Sequence, residues 1–288
     1  MQQIKKILCA TDLSKFSDRF LSWGVDLCLR LDASFSVFHA IPPPLDSVAR
    51  QIEFERGGEK EEKIAAAREK IKKIMAPFDI RWESFIRYGD PVLEAAKIAK
   101  KSKADMVLAA SQGFSEFQLF FMGSVIRRMA QTMLQPFLVI PPIVSDTPRP
   151  KDAFLNILVA CRMSKSDAYL KNFAMTFSEK FTAEICLVHV MESPVNETVV
   201  DITSAHYDDV QKRLEEKLSL QLKKMMPAKT HILRGVPGEE LAIYAKTHGI
   251  DLIIAGMDDR PGRLIPTTTE ALLRHLPCAV LTIPVKST

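Results

Sequence analysis

Apolar residues follow two kinds of pattern along this chain. Short unbroken runs, Lys6–Ala10, Phe35–Ala40, Met106–Ala110 and Phe137–Ile140, have the length of strands buried on both faces. Trp82–Ile86 is a further strand in the same half. Between the runs, apolar positions recur every three or four residues, which predicts helices. Phe20, Trp23, Leu27 and Leu31 line one face of a helix with Ser17 as its expected N-cap. Ile64, Ala67, Ile71 and Ile74 form the stripe of a long charged helix from about Glu55 to Met75. Pro91 suits the first position of a helix reaching about Lys101, and another helix runs from Ser124 to Leu134. Pro42-Pro43-Pro44 forces a loop.

The same order is written again downstream. Strands are expected near Ile157–Cys161, Ile185–Val190, Thr230–Leu233, Leu252–Ala255 and Ala279–Ile283. Helices are expected near Asp167–Phe181, Ala205–Met226, Gly238–Thr247 and Thr268–His275. Ile-Leu-Cys-Ala-Thr-Asp12 answers Ile-Leu-Val-Ala-Cys-Arg162, and His39 answers His189, both at an offset of 150 (162 − 12 and 189 − 39). Gly89 answers Gly235 and Asp105 answers Asp251, both at 146 (235 − 89 and 251 − 105). Ordered matches at nearly constant offset indicate an internal duplication. Pro141 to Pro150 is a stiff polar linker, giving expected domains at 1–144 and 152–288. Short apolar strands alternating with helices predict an α/β fold: two doubly wound domains, each on a five-stranded parallel sheet.

In such sheets ligands sit beyond the carboxyl ends of the strands. The candidate stretch is Ala109-Ala110-Ser111-Gln112-Gly113, continuing to Gly123-Ser124-Val125 at the start of a helix. Glycines let a backbone turn sharply under a bulky anion, and a helix start offers unpaired N–H groups and partial positive charge. Glycine at a strand–helix turn and serine at a helix cap are also ordinary structural choices. Asp12, just after the first strand, faces the same crevice if the first and fourth strands are neighbours.

Composition narrows the classes. Apolar content of 47% and charged content of 26% are those of a globular protein. Net charge is +4, all of it in residues 1–144, where 21 Lys+Arg stand against 17 Asp+Glu; the remainder carries 18 of each (39 − 21 and 35 − 17). The surplus is small and unclustered, so no nucleic-acid partner is expected. No apolar run approaches the ~18 residues of a membrane span, so no membrane partner is expected, nor a signal peptide. The five cysteines form no C-x-x-C pair and lie mostly in apolar runs, which suggests a reducing, cytoplasmic setting. No His/Cys/Asp/Glu group has metal-ligand spacing. His39 and His189, at strand ends, read as histidines bonded to backbone. A dehydrogenase of the G-x-G-x-x-G type is disfavoured, since Thr11 to Phe16 after the first strand contain no glycine.

Together these motifs resemble the universal stress protein family in its tandem two-domain form. The carriers are Ile-Leu-Cys-Ala-Thr-Asp12, Val-Phe-His39-Ala, Gly89-Asp90-Pro91, Ala-Asp105 and Gly113-x9-Gly123-Ser124-Val125. The resemblance covers essentially the whole chain, once per half. It implies strand order 3-2-1-4-5 and a non-catalytic, cytoplasmic stress-response protein that binds an adenine nucleotide. ATP is the implied cofactor, with Mg as a companion ion, in the first domain only. Position by position it implies Ala10 and Asp12 on the ribose or adenine side and Ala40 at the adenine. Ala109, Ala110, Gln112 and Gly113 would line the phosphate loop, and Gly123, Ser124 and Val125 would hold phosphates.

Two departures weaken that loop. Ala110 replaces the motif's first glycine, and Gln112 stands where a basic residue is usual. The loop interior, Phe114 to Met122, is rich in phenylalanine. The second half departs further: Arg162 replaces Asp12, and Asp258, Asp259 and Glu270 would oppose a phosphate, so no ATP is expected there. An interaction module that binds a protein or an apolar ligand is the alternative function, and a weak ATPase or autokinase a third. The halves are expected to form a pseudo-dimer within the chain, with a homodimer as a further option.

Overall fold

A computed structural model describes residues 3–44, 57–111, 124–141, 154–164, 167–192, 204–226, 228–258 and 267–285. The chain divides into two compact units, one per half. In the first, β1 (Lys6–Ala10), β2 (Ser34–Ile41), β3 (Trp82–Tyr88), β4 (Met106–Ala110) and β5 (Phe137–Ile140) form a parallel sheet. Its order is β3-β2-β1-β4-β5, as the resemblance implied. β1 is central because its apolar run can be covered on both faces: Ile7, Leu8 and Cys9 are fully buried. Asp105 aligns β1 with β4, its Oδ2 accepting from the N–H groups of Lys5 and Lys6 at 2.8 and 2.9 Å.

Among the described residues four helices cover this sheet: α1 (Ser17–Leu31), α2 (Glu59–Met75), α3 (Pro91–Lys101) and α4 (Ser124–Thr132). α1 packs on α2 and α3 on α4. α1 buries Phe20, Trp23, Leu27 and Leu31, the face its spacing predicted. Ser17 does not cap α1. Phe16 is the N-cap residue without a side-chain bond, and the buried Ser17 hydroxyl accepts from Thr11 Oγ1 at 2.9 Å. The local reason is a turn in which Ser17 N–H donates to Ser14 O, so the hydroxyl faces the preceding loop. α2 begins at Glu59, later than its charge pattern suggested, because Gly58 at φ +82° ends the preceding backbone in a left-handed residue. Asp90 caps α3 as Pro91 at N1 leads one to expect; its Oδ1 accepts from Val92 and Leu93 N–H at 3.0 Å each.

The second unit repeats the plan with β6 (Asn156–Ala160), β7 (Glu184–Met191), β8 (Lys229–Arg234), β9 (Leu252–Asp258) and β10 (Ala279–Val285), ordered β8-β7-β6-β9-β10. Its helices are α5 (Asp167–Phe181), α6 (Ser204–Met225), α7 (Pro237–Thr247) and α8 (Thr267–His275). The duplication extends to backbone detail. Asp251 Oδ2 accepts from Leu155 and Asn156 N–H at 3.0 and 2.9 Å, as Asp105 does in the first unit. Leu13 and Met163 share a left-handed conformation, φ 57° and 62°. One expectation is corrected: β9 and β10 run past Ala255 and Ile283. They continue through Gly256↔Ile283, Met257↔Pro284 and Asp258↔Val285, because Met257 is itself buried and extends the apolar run.

Candidate functional site

The first unit has its topological switch between β1 and β4, which pair in parallel with Ala10 opposite Ala109. Beyond their carboxyl ends lies a cavity of about 740 Å³. Ala10, Ala109 and Ala110 line it from the strand ends, Asp12 from the β1–α1 loop, Ala40 from β2, and Ser124 and Val125 from the start of α4. Seven of the ten candidate residues thus meet in one space. Gln112, Gly113 and Gly123 lie outside the described residues, as does the phenylalanine-rich stretch.

The alanine at position 110 is accommodated without strain. Ala110 is the last residue of β4, in strand conformation opposite Ile140, and is not among the residues of positive φ. Ser111 N–H then donates to Ile140 O at 2.9 Å, so the ladder with β5 persists one step past the strand. A glycine's freedom is not needed at that point.

Asp12 is exposed, and its Oδ1 accepts the Ser14 N–H at 3.0 Å. That turn fixes the carboxylate at the rim. His39 Nδ1–H donates to the Thr11 carbonyl at 2.9 Å. Burial pulls its pKa below the ordinary histidine value, against the opposing pull of the Thr11 bond and Asp12. At neutral pH the ring is therefore uncharged, with Nε2 left as an acceptor. His189 makes the same bond to Cys161 O at 2.9 Å, so the repeated histidine ties the end of the second strand of each unit to the loop after its first.

Other wall residues escaped sequence reasoning. Lys63 and Ala66 reach the cavity from α2, and Phe16, Phe20, Phe38, Ile126 and Met129 give it a broad apolar side. Lys63 precedes the apolar stripe of α2 and pairs with Glu59 at 3.0 Å, so nothing in its spacing marked it. It is the one Lys or Arg among the described lining residues. Arg128 is turned to Asp90 at 2.9 Å, and neither Arg127 nor Arg128 lines the cavity.

The second unit has a cavity of about 320 Å³ at the equivalent place. Arg162 Nη2 donates to the Gly256 carbonyl, so the guanidinium spans from the end of β6 to β9. Gly256 repeats position 110 (256 − 146). Where β4 has ended, β9 carries on as paired strand, and the turn a phosphate loop needs is absent from the backbone of Met257 and Asp258. Glu270 pairs with Arg274 on its own helix at 3.3 Å and does not line this cavity.

The five thiols are free and buried. Burial pushes the Cys186 thiol up to about 11 and Cys278 up to about 12, and raises Cys9, Cys28 and Cys161 as well, so none is a ready nucleophile. Among the described residues no group of three or more His, Cys, Asp or Glu could hold a metal ion, and no helix is long and apolar enough to cross a membrane.

No curated protein matches the chain. Among solved structures, it is similar over 98% of its length to a universal stress protein from Archaeoglobus fulgidus DSM 4304, 99% of which is covered, at 20% identity and a TM-score of 0.68. A functionally unknown protein from Pseudomonas aeruginosa PAO1 is similar over 98% of this chain and 92% of its own, at 12% identity and a TM-score of 0.67. At such identities these likenesses speak for the fold. The sequence model of the universal stress protein family matches twice, over residues 3–141 and 153–284. With both halves matched in tandem, the chain belongs to the universal stress protein family.

Proposed function

We propose that the first unit is a non-catalytic receptor for an adenine nucleotide, ATP in the first instance, serving a stress response, and that the second unit does not bind ATP. The observation that carries this reading is the convergence of Ala10, Asp12, Ala40, Ala109, Ala110, Ser124 and Val125 on one cavity of about 740 Å³. Its size and mixed lining suit a nucleotide. The apolar side supported by Phe38 and Ile126 takes the base, Asp12 at the rim takes ribose hydroxyls, and the first amides of α4 at Ser124 and Val125 face phosphate oxygens. Asp12 is the single carboxylate among the described lining residues. That suits Mg brought in with the phosphates, since magnesium commonly takes one or two protein carboxylates and completes its shell with phosphate and water. Among the described lining residues no second carboxylate remains as general base, which favours binding without turnover.

The test is calorimetric titration of ATP with Mg into the purified full chain, beside Asp12→Ala and Gly113→Val. Heat from the wild type, with at least about tenfold weaker binding in Asp12→Ala, supports the reading. Silence at millimolar ATP from a folded chain rejects it and leaves the broad apolar wall, with Phe16 and Phe20, as the seat of an apolar ligand instead. Phosphate release that disappears in Asp12→Ala rejects the non-catalytic part.

A further inference from the structure

The cavity of the second unit has its own chemistry. Position 12 of the first unit is an aspartate; the matching Arg162 inverts the charge at the crevice mouth. Among the described residues the Arg162 guanidinium has no carboxylate partner; its one bond is from Nη2 to the Gly256 carbonyl. Asp167, at the start of α5, is 1% exposed and is occupied by other donors. It accepts from the backbone N–H of Arg162 at 3.3 Å, the N–H of Ser164 at 3.1 Å and the Ser164 hydroxyl at 3.4 Å. A guanidinium carries five N–H donors in a planar fork, so most of its donors remain for a partner with matching oxygens. Around it Thr268, Thr269 and His189 line the cavity, the His189 Nδ1–H being committed to Cys161 O.

We propose that this cavity is a binding site for a small oxyanion, a phosphate group either free or at the head of a small metabolite, held by Arg162. This site is separate from the nucleotide cavity and does not rest on it. Its volume of about 320 Å³, under half that of the first cavity, suits a phosphate with a short organic body. Glu192, exposed at the same cavity, adds a negative charge that disfavours polyanions further. The replacement of an aspartate by Arg162 at this position thus turns a negative cavity mouth into one that can hold an anion. The chain would then sense two ligands of different size, one per half.

The experiment titrates inorganic phosphate into the full chain at constant ionic strength, with chloride as the balancing ion, up to about 20 mM, and follows both heat and the shift in melting temperature. The chains are wild type, Arg162→Ala and Arg162→Lys. The expected result is binding by the wild type, weakened at least about tenfold in Arg162→Ala and by a smaller factor in Arg162→Lys, which keeps the charge but loses the fork. Circular dichroism checks that each variant is folded; if Arg162→Ala is not, Arg162→Lys decides, and wild-type affinity there overturns the proposal. Absence of phosphate binding by the wild type overturns it, as does undiminished binding by folded Arg162→Ala.

Discussion

Replacing Asp90 by alanine removes three interactions at the edge of the first unit's cavity. Oδ1 loses the N–H groups of Val92 and Leu93, both at 3.0 Å, and Oδ2 loses Arg128 at 2.9 Å. The first loss uncaps α3 and costs about 1 kcal/mol, within a range of about 0.5–2. The second involves side chains 47% and 32% exposed, so solvent screens it to about 0–1 kcal/mol. The sum, about 1–2 kcal/mol, lowers the melting temperature of a unit of this size by about 3–6 °C. Asp90→Asn keeps a good capping acceptor and loses only charge, so about half the loss should return. Because Arg128 lies on α4, whose first residues line the cavity, ATP affinity should also fall by a few-fold. The second unit is a natural reference: Val236 occupies the matching N-cap position and makes no side-chain cap bond.

Burial pushes the Asp90 carboxyl up, but the Leu93 N–H, Arg128 and the Val92 N–H outweigh it and hold the folded-state pKa below the ordinary carboxylate value. Its stabilising contribution is therefore present above the unfolded value near 4 and disappears as pH falls through the lower folded value. Thermal melts of wild type, Asp90→Ala and Asp90→Asn at neutral pH and near pH 2, with hydrogen exchange at the Val92 and Leu93 amides, measure this. Equal melting temperatures and unchanged exchange in Asp90→Ala would refute the cap. Asp90→Asn as damaging as Asp90→Ala would assign the effect to charge instead.

Gly238→Ala should destabilise the second unit by about 1–3 kcal/mol in a denaturant titration, because the new Cβ would lie 2.3 Å from Ala271 Cβ and 3.1 Å from Thr268 O and force α8 outward; ATP binding should be unaffected. His39 has a folded pKa below its ordinary value of about 6.5, so protonation is penalised in the native state. Stability should fall as pH drops below about 6.5 and level off once pH passes the lower folded value, and His39→Gln should remove that part of the acid dependence in melts between pH 7 and pH 5. The native chain should resist thiol reagents, and all five cysteines should titrate once it is denatured; rapid reaction of the native chain would contradict their burial.

The fold was readable because both periods were clean. Continuous runs such as Ile7-Leu8-Cys9 mark strands buried on two faces, and the repeat at offsets of 146 and 150 gave each element a second witness. Asp105 and Asp251, aligned in sequence, perform the same backbone bonds. The adjacency of β1 and β4, on which the position of Asp12 depended, followed from the resemblance and is present in the sheet. Features set by tertiary contact were not readable. Ser17 has the composition of a cap, yet its hydroxyl serves Thr11 because the backbone turn took its N–H first. The lengthening of β9 was hidden behind a glycine and an aspartate, residues that usually end strands, until pairing with β10 and the burial of Met257 extended it. Lys63 entered the cavity wall from a helix whose charge run looked like a solvated face. Arg162 was visible as a departure from Asp12, but its bond to Gly256 depends on strand proximity that no local pattern carries.

The most direct measurement is photolabelling of the full chain with an azido-adenine analogue of ATP, followed by peptide mapping. A single label per chain, displaced by ATP and mapped to the first unit in the peptide that holds Ala40, is the predicted result. Label in the peptides of β7 or β9, with the first unit unmodified, would contradict the account.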